Sequence, residues 1–345
     1  MEGLTVDTRD GPRPRPKRRA TLEDVAARAG VSRALVSIVI RDVPGASAAT
    51  RERVMRAADE LGYRPDVRAR LLARSQSKLI GTVFGMSGTF HFDVLDGLYT
   101  AAADQGYELI LSALTQSRDE GRAVQSLQDF RFDALVMLGP DTAKPALAGK
   151  VPLVMVGWYV EDPAVDVVRT SDAQGMALAV EHLVQRSHRR IVHVDGGEGA
   201  ISQSRREEFL RAMRAHGLAS DARVLAGGLT QLEGYTAART MLDDPQLPTA
   251  VIGFNDEVAV SILEAFLHAG YRVPQDVSVI GWDNSPISKL PHIRLTTVTQ
   301  DPRLMAKLAV NRAIARIEGA AIGERDIVLE PSLMARATTA AARPD

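Results

Sequence analysis

Neutral hydrogen-bonding groups, one arginine and several aromatic planes recur just after short apolar runs in the C-terminal three quarters of this 345-residue chain. They are Phe84 and Phe90, Gly139-Pro140, Gly157-Trp158, the loop GGEGAISQSR at 196–205 that ends on Arg205, Asn255-Asp256 and Trp282-Asp283-Asn284. Together they have the chemistry of a site for a polyhydroxylated molecule. Carboxylate and amide groups bond hydroxyls in pairs, a guanidinium forks two oxygens, and an aromatic face covers apolar C–H surface. No HExxH, GxSxG or paired acid–base arrangement accompanies them, and seven scattered histidines set no metal spacing. GGEGA lacks the full GxGxxG spacing and the P-loop lysine ending, and it reads as a tight strand-to-helix turn. Zero cysteines exclude thiolate catalysis, disulfides and cysteine-ligated zinc. The sequence therefore assigns no catalytic residue, no metal and no cofactor, and the chain is not expected to be an enzyme.

Such residues converge only if the strands carrying them end on one side. Apolar runs at 79–85, 107–114, 134–139, 152–157, 190–196, 249–254 and 277–283 alternate with amphipathic helical patterns such as 173–188 and 256–270. Runs buried on both faces and separated by helices make parallel sheets, and there are too many here for one. The expected body is α/β, two doubly wound lobes with a cleft at the carboxyl ends of their strands. The first lobe takes about 79–167 and 301–327, and the second about 168–300 and 328–339. The chain crosses between them near 165–172, 296–301 and 328–331, which makes a three-stranded hinge. Asp256 is expected to cap the helix beginning at Glu257.

The first part of the chain has a different character. Residues 1–78 hold 17 Lys and Arg against 10 Asp and Glu, whereas the remainder holds 25 against 33. A basic head on an acidic body points to a polyanion as the head's partner. Thr21 can cap a helix with Asp24 three residues on, and Leu22, Val25, Ala26 and Ala29 form one apolar stripe before Gly30. Ser32 caps a second helix with Val36, Val39 and Ile40 inward and Ala34, Ser37, Ile38 and Arg41 outward. A third follows Ser47, with Val54, Ala57, Ala58 and Leu61 inward, ending at Gly62. Three short helices with a tight Gly turn between the first two make a helix-turn-helix, its second helix proportioned for a major groove. Residues 66–74 read as a short helix carrying Arg68, Arg70 and Arg74, marginal by itself.

The composition, 45% hydrophobic and 25% charged, is that of a soluble globular protein, and no apolar run approaches a membrane span. The first twenty residues are basic and proline-rich with no apolar segment behind them. They do not read as a secretory signal, so a cytoplasmic location is expected.

In "TLEDVAARAGVS", "VS" at 36–37, "TRERVMRAADELGYRPD" and "ARLLARSQSKLIG" the chain resembles the lactose-repressor/galactose-repressor (LacI/GalR) family of bacterial transcription regulators, and the resemblance continues through the body. It implies an N-terminal all-α helix-turn-helix head on a bilobal, periplasmic-binding-protein-like core. The divisions are a basic tail (1–19), the head (20–65), a hinge helix and linker (66–78) and an effector-binding and dimerisation domain (79–345). It implies a homodimer on double-stranded, pseudo-palindromic operator DNA, with no membrane partner, repressing transcription under control of a small effector. Thr21, Ser32, Arg33, Ala34, Ser37, Ile38, Arg41 and Thr50 form the expected DNA-facing set. Leu72 is the minor-groove wedge, and Ala69 marks the contact between paired hinge helices. Arg205, Asn255, Asp283 and Gln300 match effector-contact positions, while Phe90, His91 and Trp158 match pocket-wall positions.

Ile38 and Arg41 stand where family members commonly carry arginine and asparagine. Ile38 cannot fork a guanine, which leaves thymine methyl contact to Ile38 and guanine or phosphate contact to Arg33 or Arg41. The C-terminal segment lacks the leucine heptads of a tetramerising helix. A sugar or sugar derivative is the expected effector; a nucleobase or another metabolite is the alternative, and a sugar-binding transport receptor is the rival for the body alone. The site residues also have plain structural uses: Asp283 capping a turn, Arg205 facing solvent, Gln300 fastening a crossover strand and Trp158 filling the core.

Overall fold

The computed structural model describes residues 20–64, 76–86, 88–115, 117–128, 130–139 and 149–343. Two compact units divide at Ser75 and Gln76. Ala69, Leu72, the basic tail and Pro140 lie outside the described residues.

Among the described residues, the N-terminal unit has three helices: α1 (Leu22–Ala29), α2 (Arg33–Ile40) and α3 (Ala48–Glu60). Each begins on a hydroxyl cap, Thr21, Ser32 and Ser47, that accepts the backbone N–H three residues on. Gly30 turns the chain between the first two helices at φ 65°, a left-handed conformation that favours glycine. The caps matter because the core is small. Val25, Val36 and Val54 are fully buried, with Ala26, Ala29, Val39, Ala57 and Ala58 around them. The expected inward Leu61 is corrected: α3 stops at Glu60, and Leu61 is exposed as its C-terminal cap. Past the last regular turn the helical stripe no longer governs direction, and Tyr63 packs on the core instead.

Among the described residues, the larger unit holds two six-stranded sheets. The first contains β1 (Leu79–Gly85), β2 (Glu108–Leu114), β3 (Ala134–Leu138), β4 (Leu153–Val156), β5 (Val165–Thr170) and β11 (Asp326–Leu329), ordered β11-β5-β4-β3-β1-β2 and parallel throughout. The second contains β6 (Ile191–Val194), β7 (Ala222–Leu225), β8 (Ala250–Gly253), β9 (Ser278–Asp283), β10 (Thr296–Thr299) and β12 (Ser332–Met334), ordered β12-β10-β9-β8-β6-β7. Its strands are parallel except β12, which runs antiparallel to β10. β3, β4, β6 and β8 are buried along their whole length, the reason they read as continuous apolar runs.

Helix α4 (Thr89–Asp104) and α5 (Glu120–Gln128) belong to the first lobe, and α6 (Asp172–Val184), α7 (Ala200–Ala215), α8 (Gln231–Leu242) and α9 (Asp256–His268) to the second; α10 (Pro302–Ile317) returns to the first. Val94 and Leu98 of α4 share a core there with Met305, Ala309 and Val310 of α10. The expected lobe limits at 167/168 and 327/328 fall inside β5 and β11, both first-sheet strands. The chain therefore changes lobes after Thr170, after Thr299 and after Leu329. Among the described residues, no helix is long and apolar enough to cross a membrane.

Candidate functional site

A cavity of about 150 Å3 lies between the two lobes. It is lined by Phe90, His91, Trp158, Arg205, Asn255, Asp283 and Gln300, all seven residues expected there, together with Glu198, Ser202, Leu138, Ile201, Leu229 and Phe254. The parallel sheets explain the convergence: Trp158 follows β4, Asn255 follows β8, Asp283 ends β9 and Gln300 follows β10. Phe90 and His91 stand in the first turn of α4, and Arg205 in the second turn of α7. Phe254, Glu198 and Ser202 were absent from the expected set. Phe254 closes the strand run at 249–254, and the other two sit in the quoted loop 196–205, so the strand-end rule reaches them as well.

Arg205 does not face solvent; it is 6% exposed. Its guanidinium lies between the rings of Trp282 and Phe254, 4.2 and 4.7 Å from their centroids. Nε donates to Asp172 Oδ1 at 3.0 Å and Nη1 to the Phe254 carbonyl at 2.7 Å. Asp172 also accepts from the Ser204 hydroxyl at 2.8 Å. Gly175 makes room for this stack, because a Cβ there would collide with the Trp282 ring. The charge is thus neutralised and fixed in position on a cavity-lining side chain.

Asp283 and Asn284 have φ of 107° and 54°, a left-handed pair without a glycine. Strain of this kind persists only where the surroundings hold it. Gln300 Nε2 donates to Asp283 Oδ1 at 2.7 Å. Burial pushes the Asp283 carboxyl up to about 8; Arg205 opposes the shift, and the nearby Asp256 and Glu257 charges add to it. Near neutral pH Asp283 therefore keeps its proton and can donate as well as accept. Gln300, expected as an effector contact, lines the cavity and also ties the end of β10 to the end of β9 through this bond.

The expected cap Asp256 is corrected. Asn255 caps α9, its Oδ1 accepting the Val258 N–H at 2.8 Å, while its Nδ2 donates to the Leu229 carbonyl at 3.0 Å. Both ends of the Asn255 amide are committed within the protein. Asp256 is 1% exposed and accepts the Ser285 N–H and hydroxyl at 2.7 and 2.8 Å and the Thr297 hydroxyl at 2.6 Å. Burial raises it to about 6, against those hydrogen bonds. It ties the Ser285 turn to β10 instead of serving a helix end.

His91 Nδ1 lies 2.9 Å from the Gly85 carbonyl, so Nδ1 carries the proton of the neutral ring and donates. Burial lowers its pKa, which keeps the ring neutral. Gly139 permits this approach: at φ 93°, a Cβ there would stand 2.9 Å from both the His91 ring and the Gly85 nitrogen. Trp158 is buried in the first-lobe core with Val83, Met155 and Val165 and also lines the cavity, its indole N–H buried without a partner among the described residues.

In the head, Thr21 and Asp24 form a reciprocal capping box, Asp24 Oδ2 accepting the Thr21 N–H at 2.8 Å. The Ser32 hydroxyl accepts from Leu35 at 3.2 Å, and Thr50 and Ser47 hydroxyls bond at 2.9 Å. On α2, Arg33 and Ala34 are exposed, and Ser37 and Ile38 are half-buried. Arg33 pairs with Glu23 at 3.0 Å, an exposed contact that a phosphate or base can displace at little cost. Arg41 caps α2 and turns its Nε to the Ser37 carbonyl at 3.1 Å. Arg51 of α3 holds the loop after α2 through Asp42 and the Val43 carbonyl, both at 2.6 Å.

Residues 21–66 match the bacterial regulatory proteins of the lacI family, and residues 180–339 match the periplasmic binding protein-like domain. The chain is 30% identical to the HTH-type transcriptional repressor PurR of Photobacterium profundum, over 92% of this chain and 98% of that protein. It is 31% identical to the ribose operon repressor of Escherichia coli, over 92% and 99%. The crystal structure of the lac repressor dimer bound to operator and the anti-inducer ONPF superposes with a TM-score of 0.84 at 29% identity, covering 94% of this chain and all of that one.

Proposed function

The chain belongs to the lacI family of bacterial regulatory proteins, and from that premise we propose that it is a cytoplasmic, homodimeric repressor controlled by an uncharged, hydroxyl-rich molecule the size of a small sugar. One observation carries the effector assignment: Arg205, Asp283 and Gln300 converge with Phe90, Trp158 and Phe254 on one small cavity. Asp172 already neutralises Arg205, and Asp283 retains its proton. Between them they present donors and acceptors at fixed positions without an unmatched positive charge to favour an anion.

The head supplies DNA binding. One recognition helix covers few base pairs, so two heads on a pseudo-palindromic operator are required for a specific site. Ile38 and Ala34 offer apolar contact to thymine methyls, and Arg33 and Arg41 offer the charge for phosphate or guanine. Effector in the cleft and DNA on the head are linked reciprocally, whichever sign the coupling takes. A sugar transport receptor would leave the capped head without a use, and the cavity's groups suit binding rather than bond cleavage.

The three aromatic walls support a second reading, a flat nucleobase-like effector stacked between rings. Fluorescence anisotropy on duplex from the chain's own promoter separates the two. A change in operator affinity with neutral monosaccharides, but not with sugar phosphates or nucleobases, is the expected result. A response to nucleobases alone selects the second reading. Failure to bind promoter DNA at low salt overturns the function itself.

A further inference from the structure

A hydrogen bond crosses the cleft beside the cavity. Thr89 is the first residue of α4, so its N–H has no partner within that helix, and Gly88 before it has no side chain to cap it. The partner comes from the other lobe: Glu257 Oε1, in the first turn of α9, accepts the Thr89 N–H at 3.0 Å. The carboxylate therefore stands at the positive ends of two helices that belong to different lobes. The residues beside this bond line opposite walls of the cavity, Gly88, Phe90 and His91 on one side and Phe254 and Asn255 on the other. Separating the lobes at this point breaks the bond and exposes a helix end to water.

We infer that Glu257 is a positioning residue for the effector response, a latch that holds the first turn of α4, with Phe90 and His91, closed over the cavity. The inference rests on the proposed reading of the cleft as the effector site and on the three crossover segments acting as a hinge. The latch biases the closed form before any effector arrives, which raises the fraction of chains competent to hold one. Charge-assisted hydrogen bonds to backbone N–H groups are among the stronger ones, and this one joins two bodies that otherwise move about three crossover segments.

The chain has no cysteine, so a cysteine pair is a unique label. Asp96 of α4 and Glu264 of α9 are exposed and stand one on each lobe. Asp96→Cys/Glu264→Cys protein carrying nitroxide labels, diluted into unlabelled chain, reports the interlobe distance by pulsed electron resonance without effector or DNA. Glu257→Ala should raise a longer-distance component roughly tenfold over the parent pair. Thr89→Pro removes the donor from the opposite lobe, and proline suits the first position of a helix, so α4 is retained. It should give the same distribution, and the double variant should go no further, as expected of two halves of one contact. Glu257→Gln keeps a neutral acceptor and should fall between. Thermal melts confirm folding, and if one variant fails to fold the other still reports from its own lobe. Distributions unchanged in both, or changed by Glu257→Ala but not by Thr89→Pro, overturn the latch. The distances are read without DNA, so promoter binding by the parent chain, measured separately, tests the function independently of the latch.

Discussion

The head and the cleft use polar side chains in opposite ways. Around α2, Arg33, Ala34 and Arg41 are exposed and Ser37 is half-buried; Arg33 pairs with the exposed Glu23, and Arg41 at the helix end turns to the Ser37 carbonyl, contacts that water or DNA can replace. Around the cavity the polar residues are bonded to one another or to the backbone first: Arg205 to Asp172, Gln300 to Asp283, Asn255 to Leu229 and Val258, and His91 to Gly85. The difference follows from the solvent. On an exposed helix water satisfies each group until the partner arrives, whereas in a buried cleft an unpartnered group is costly, so preorganisation must be built into the fold. A DNA surface can remain adaptable; a small-molecule cavity has to be fixed before it is filled.

The sharpest way to break the comparison is to destroy one region and ask whether the other survives. Val36→Asp puts a charge into a core of eight small buried residues and should abolish operator binding, with the cleft unit's melting transition unchanged in calorimetry. A lost second transition would mean that the two regions are not independent. In the cleft, Arg205→Ala leaves Asp172 half of an ion pair and empties the slot between Trp282 and Phe254. It should destabilise that unit by about 3–5 kcal/mol in denaturant titration while nonspecific DNA binding persists.

Asp283→Asn tests the opposite sign. The folded state holds the Asp283 proton up to about 8, whereas the exposed carboxyl loses it near 3.8. Between those values the folded chain binds more protons than the unfolded one, so the wild type loses stability as pH rises through this window. The amide cannot ionise. The variant should therefore match the wild type near pH 4 and exceed it by about 2–4 kcal/mol at pH 8.5, after discounting for the part of the side chain that the cavity exposes. Equal pH profiles would show that Asp283 is ionised in the native cleft. The smallest effect belongs to the head's periphery. Thr21→Ala removes one cap and should cost about 1 kcal/mol, read as a lower first melting transition.

Local pattern was enough for much of this molecule. The caps at Thr21, Ser32 and Ser47, the turn at Gly30 and the seven apolar strand runs are written in neighbouring residues, because capping and periodicity act over a few positions. The rule that ligands meet parallel strands at their carboxyl ends carried Trp158, Arg205, Asn255 and Asp283 to one cavity. Five further strands have no such local signature. β5, β10 and β11 lie at the crossover segments and are as short as four residues, while β7 and β12 are edge strands with mixed exposure and no continuous apolar run. Their pairing comes from neighbours far along the chain.

The sequence by itself determined the kinds of groups available and the elements that carry them, since both depend on residue type and short-range spacing. Only the tertiary structure decided which hydrogen bonds those groups make: Asn255 rather than Asp256 capping α9, Arg205 stacked and paired instead of solvated, and Glu257 reaching the opposite lobe. Desolvation and partner choice depend on atoms brought together from distant parts of the chain, more than a hundred residues apart for Glu257 and Thr89, and no local pattern contains them.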